Sequence, residues 1–268
     1  MAKLLRALCG ALSAVLISAW VAPPATAEDS AIAERRRSER KVFSDEEIVD
    51  GFFKTAFGAE FHLAGRVDRI RKYDSPVRVF VINKGRPDRR AQLAKIIADI
   101  GKRIQHLDIA ITENRDEANF TVILVRDRDL NATLAAVYGD ERAREIHRSL
   151  DPQCLSSFSK NEQFEIVRSD VILTVDNSDF VFHDCAYEEL LQALGPINDT
   201  RSVPWTMFND TVHMGYFDVY DQYVLNILYD PRIRPGMTVE EAKAALPDVL
   251  PAVRSFVGKT NGLPEPKR

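Results

Sequence analysis

Apolar residues first recur at helical spacing at Ile48, Phe52, Phe53, Ala56 and Phe57, directly after Ser44-Asp45-Glu46-Glu47. That tetrad is a capping box, in which Ser44 accepts from the third helical N–H and Glu47 reaches back, and Gly58 supplies a stop. A β-branched run from Val77 to Asn83 then changes the period to that of a strand. Gly85 and Pro87 separate it from a helical period through Leu93, Ile96, Ile97, Ile100 and Ile104. Leu107 to Thr112 and Phe120 to Val125 read as two further strands, and short helices are expected over Ala132 to Tyr138 and Asp140 to Arg148.

Leu155 to Ser159 and Phe164 to Val175 read as a hairpin across the polar turn Lys160-Asn161-Glu162. Alternation through Ile166, Arg168, Asp170 and Ile172 is imperfect, which predicts a bulge or a change of buried face. A central helix from about Phe182 to Leu194 follows, with His183 and Asp184 as its expected N-terminal cap and Gly195-Pro196 as its stop. Thr238 and Glu241 make a second capping box for a helix near Val239 to Leu246. The order of elements predicts an α+β fold with a mixed sheet.

The N-terminus changes the picture of destination. Lys3 and Arg6 precede an apolar stretch from Ala7 to about Val21, which reaches Ala25-Thr26-Ala27, the order of a cleaved secretory signal. The apolar run is shorter than the roughly 20 residues needed to cross a bilayer. The expected product is exported, to the periplasm, with no transmembrane anchor after cleavage. The chain is therefore divided into a signal at 1–27, a flexible charged segment at 28–43, a single domain at 44–257 and a tail at 258–268. Within the domain, 44–76 is a helical extension and 235–257 a C-terminal helical brace.

Forty acids against 36 bases give a formal charge of −4, so no global field draws the chain to nucleic acid. Cys9 leaves with the signal, and Cys154 and Cys185 remain as an even pair in an oxidising compartment. A Cys154–Cys185 disulfide is expected, worth ~3 kcal/mol in the chain-entropy model, against the alternative of two buried thiols. The five histidines are scattered, with no two at i and i+4.

On the central helix, Glu188, Gln192 and Gly195 fall within one arc with Glu189 beside it, while Tyr187, Leu190, Leu191, Ala193 and Leu194 cover the other side. A zinc peptidase needs H-E-x-x-H-x-x-G-x-x-H there: two imidazoles one turn apart, a glutamate to activate water, and a glycine that returns a third ligand. This chain has E-E-x-x-Q-x-x-G-x-x-N, with Glu188, Gln192 and Asn198 at the ligand positions and Glu189 at that of the base. The stretch from Val171 to Tyr229 resembles a degenerate metzincin-type zincin. In that likeness Trp205-Thr206-Met207-Phe208-Asn209 is similar to the turn beneath the metal, with Phe208 in place of methionine, and Asp221 to Tyr229 is similar to the C-terminal helix.

More narrowly, the chain resembles a bacterial exported domain family of unknown function. The matching stretches are Phe52 to Gly58, the cysteine near 154, Glu188 to Gly195 with Asn198-Asp199, Phe208-Asn209-Asp210, and Leu228 to Met237.

Glutamate and two neutral amides are poor ligands for catalytic zinc, so neither a metal nor another cofactor is expected. Adjacent helix positions point about 100° apart, which also disfavours Glu188 and Glu189 as an acid/base pair. The simplest arrangement leaves Glu188 in solvent and Glu189 bonded to backbone. Further cleft candidates are Asp199, His183 and Phe208. The expectation is a non-catalytic pseudo-peptidase that binds a peptide, protein or cell-envelope component in a relict cleft. The alternatives are a hydrolase with Glu189 as base and a structural envelope protein.

Overall fold

The computed structural model describes residues 29–57, 68–149, 153–196 and 198–264. The signal at 1–27, Cys9 and the Gly58 stop lie outside the described residues. Five strands form one mixed sheet: β1 (Val77–Asn83), β2 (Ile109–Ile111), β3 (Phe120–Val125), β4 (Cys154–Lys160) and β5 (Ile166–Thr174). Their spatial order is β2-β1-β3-β5-β4. The first four in that order are parallel, and β4 runs antiparallel to β5 at the edge. With its helices the protein is α+β.

Strand period decides which face goes where. Val122, Leu124, Val171 and Leu173 enter a large core, shared with helices α3 (Arg90–Arg103), α6 (Asp179–Gln192) and α7 (Val219–Tyr229). Ile123, Val125 and Ile172, one residue out of phase, enter a smaller core closed by α4 (Leu130–Tyr138) and α5 (Asp140–Ser149). The expected irregularity in the hairpin is a register shift at Ser159/Lys160.

Helix α2 (Asp45–Ala56) starts at the Ser44/Glu47 capping box and packs on α7, which is buried along its whole length. The C-terminus of α7 is satisfied by Lys72, a buried residue whose Nζ donates to the carbonyls of Leu228 at 2.9 Å and Asp230 at 3.2 Å. Burial brings this ammonium down to about 8.

Two segments differ from the sequence reading. The charged stretch 28–43, expected to be flexible, contains helix α1 (Ser30–Ser38), capped by Asp29. Ile32 is buried, the Arg35 and Arg36 guanidinium groups each lie 4.3 Å from the ring centres of Phe180 and Tyr216, and Glu39 accepts the Val219 amide at 2.6 Å. Arginine planes and stems cover aromatic surface, so a segment dominated by charge still packs. The last helix, α8 (Val239–Asn261), continues through Pro247 and Pro251 to a left-handed Gly262, into the stretch read as a tail. Its apolar positions Ala242, Leu246, Val249, Leu250, Val253 and Val257 keep one face on the core across both prolines.

Candidate functional site

Helix α6 is anchored at both ends. Ser178 caps it by accepting the Val181 amide at 3.2 Å, so the helix starts one turn earlier than expected and His183 and Asp184 are interior rather than capping. The ring of His183 is taken up locally, its Nδ1 lying 2.7 Å from the Asp179 carbonyl oxygen one turn back. The Cys154–Cys185 disulfide, with 5.9 Å between Cα atoms, fastens α6 to edge strand β4. At the other end Gly195 adopts φ +142°, where an added Cβ would lie 2.4 Å from the Arg71 carbonyl oxygen. Glycine is required there by both conformation and close approach.

One polar stripe runs along α6 through Asp184, Glu188 and Gln192, spaced by four. Asp184 accepts the Gly215 amide at 3.0 Å and meets His213 Nδ1 at 2.9 Å. Burial raises the Asp184 carboxyl, with His213 opposing. Glu188 is half-buried rather than in solvent, and it makes no hydrogen bond or ion pair among the described residues. Burial pushes its carboxyl well above the usual carboxylate range, and Glu189, Asp199, Asp184 and Asp210 add like charge. The stripe ends in Gln192, whose Oε1 accepts from Ser156 on β4 at 3.3 Å and whose Nε2 donates to Asp199 at 2.6 Å.

Two of the residues at the ligand positions of the zinc-peptidase pattern turn to different partners, Gln192 to Asp199 and Ser156, and Asn198 to α2. The Asn198 side chain donates to the Lys54 carbonyl at 2.6 Å and its backbone amide donates to Thr55, so it tethers the chain to α2. Asn198 lines a separate cavity of about 310 Å³ with Phe53, Phe57 and Thr200. Glu189 is buried at 7% exposure. Phe208 is fully buried and belongs to the core, not to a cleft. No three His, Cys, Asp or Glu side chains among the described residues are placed to hold one metal ion.

The turn at 205–209 is built around Asp221 on α7. Its two carboxylate oxygens accept the Thr206 hydroxyl at 2.5 Å and the Met207 amide at 2.7 Å, wholly out of water. Sequence reasoning placed an aspartate near the start of that helix but missed its partners, and it missed Ser156 altogether. The only local signal for Ser156 is its place in the alternation of β4, two residues from Cys154 on the side that faces α6.

A family model described as a protein of unknown function, DUF2927, matches residues 45–248. The chain belongs to the DUF2927 family. The matched span of this DUF2927 domain takes in α2, the entire sheet, α6, the 205–209 turn and α7, and leaves α1 outside. No curated protein and no solved structure matches the chain. No helix among the described residues is long and apolar enough to cross a membrane.

Proposed function

We propose that this DUF2927 domain is an exported, periplasmic pseudo-peptidase: a zincin-like scaffold that binds a peptide, protein or envelope component and does not cut it. The observation that carries the reading is the Gln192–Asp199 hydrogen bond. Where a zinc peptidase needs its second imidazole, a neutral amide is committed on both atoms, to Asp199 and to Ser156. The sheet supports the same reading, because the resemblance implies a mixed sheet whose exposed edge pairs with an extended ligand, and β4 is an antiparallel edge strand beside α6. Glu188, half-buried and without a hydrogen-bond partner among the described residues, supplies a group that a donor on such a ligand satisfies.

One observation favours a second reading, an atypical hydrolase. A carboxyl group raised well above the ordinary carboxylate range, as burial and like charge raise that of Glu188, is suited to a general acid, with Glu189 beside it as base. A degenerate peptide library incubated with the protein and read by mass spectrometry separates the two. Peptides retained on the protein and recovered intact are expected; fragments whose formation stops in Glu189→Gln would replace the binding reading with the hydrolytic one.

A further inference from the structure

A second feature lies at the C-terminal ends of the parallel strands, away from the α6 stripe. The chain leaves β1 through α3 toward β2, and leaves β3 in the opposite direction toward β4 and β5. Strands that diverge in this way open a crevice beyond their carboxyl ends, where open α/β sheets take their ligands. Here the crevice is a cavity of about 410 Å³, lined by Asn83, Lys84, Gly85, Arg86, Asp88 and Arg90 from the first loop and by Arg126, Arg128 and Asp129 from the second. Five cations thus face two carboxylates in a chain whose formal charge is −4.

The two carboxylates are committed within the loops. Asp88 pairs with Arg90 in a two-pronged contact and also accepts the Arg90 amide at 3.1 Å, which holds its carboxyl down at about 2. The first free N–H of α3 is thereby occupied, so the site does not depend on a helix terminus. Asp129 lies 3.8 Å from the Arg128 guanidinium. Lys84, Arg86 and Arg126 line the same cavity and make no ion pair among the described residues.

The fold holds these like charges together. Gly85 brings the first loop so close to the ends of β3 and β5 that an added Cβ would lie 2.5 Å from Val175 and 2.9 Å from the Val125 carbonyl carbon. Buried Arg89, beside it, donates to the carbonyls of Val175 at 3.0 Å and Asn177 at 2.8 Å, fixing the loop to the next strand end. Mutual repulsion among the five cations that line the cavity is relieved by an anion that meets several at once. Guanidinium forks match the oxygens of a phosphate group in spacing and plane.

We propose that this cavity is a binding site for a phosphate group, carried either by a soluble phosphomonoester or diester or by the headgroup of an anionic lipid. The test is calorimetric titration of the whole protein with inorganic phosphate and with pyrophosphate at low ionic strength. In parallel, the protein is sedimented with phosphatidylcholine vesicles with and without phosphatidylglycerol. The double variant Arg86→Glu/Arg126→Glu and the control Lys95→Glu, an exposed change elsewhere on α3, accompany the wild type. Saturable binding that weakens by at least roughly tenfold in the double variant, with an unchanged melting temperature and an unaffected control, is expected. Loss confined to phosphatidylglycerol vesicles identifies a lipid headgroup, and loss confined to the soluble ions identifies a free ligand. No saturable binding of either kind, binding that persists in the double variant, or an equal loss in the control would overturn the assignment.

Discussion

Gln192 Nε2 donates to Asp199 at 2.6 Å, while Asn198, one residue earlier, turns to the Lys54 carbonyl. The loop after α6 therefore returns a carboxylate to the helix one position later than the zinc-peptidase spacing requires. If this geometry is the remnant of a metal site, imidazoles restored at the two helix positions will recruit Asp199 as third ligand. Glu188→His combined with Gln192→His is expected to bind one zinc ion by titration calorimetry. Adding Asp199→Ala should weaken that binding by roughly tenfold or more, and adding Asn198→Ala should leave it unchanged. The reverse order of sensitivity would place the third ligand at 198.

The buried acids are expected to make the protein more stable in mild acid. Glu188 and Asp184 are raised above the ordinary carboxylate range by burial, as is Asp218, which also faces Asp221. A raised folded-state value means that the folded protein holds the proton more tightly. The resulting stability is full below the unfolded carboxylate range, near pH 4, and is lost as pH rises through the folded values. The melting temperature should therefore climb by a few degrees from pH 7.5 to pH 5.5. Glu188→Gln should raise it at pH 7.5 and flatten this slope. Lys72, depressed to about 8, acts in another window: its contribution increases between pH 8 and about 10.4 and does not affect this comparison.

Asp221 holds the 205–209 turn through two short hydrogen bonds in a fully buried place. Removing it leaves the Thr206 hydroxyl and the Met207 amide without their acceptor. Asp221→Ala is expected to cost about 3 kcal/mol in urea unfolding. A cost under about 1 kcal/mol would show that the turn is held by packing around Phe208 instead.

Gly195→Ala should be among the most damaging single changes on α6. The new methyl group would lie 2.4 Å from the Arg71 carbonyl oxygen and 2.9 Å from Leu228, at a φ of +142° that suits only glycine. A loss of several kcal/mol is expected, measured as a fall in denaturation midpoint with an unchanged slope. Gly258→Ala, where nothing lies within 4 Å, is the tolerant comparison.

What was legible in the sequence was local. The capping boxes at Ser44/Glu47 and Thr238/Glu241 and the strands Val77–Asn83 and Phe120–Val125 carry their signal within a few residues, and they stand where the pattern puts them. Helix α1 was not legible because its support comes from Phe180, Tyr216 and Val219, which lie far along the chain. The extent of α8 was hidden by Pro247 and Pro251, whose local cost is outweighed by a core-facing stripe. At the site, the spacing placed Glu188 and Gln192 on one face. It could not say that α2 captures Asn198, that Phe208 is core, or that four other acids surround Glu188, since each depends on a loop folding back over the helix.

The most direct test of a binding cleft along α6 and β4 is hydrogen–deuterium exchange of the protein with and without the peptides retained from a degenerate library. Strand β4 pairs with β5 on one side and has no strand partner on its outer edge among the described residues, the edge at which an extended ligand would add. Added protection confined to 154–160 and to the α6 stripe at 184–192, lost in Glu188→Arg, is expected. Protection elsewhere, or no change on β4, would contradict the binding reading.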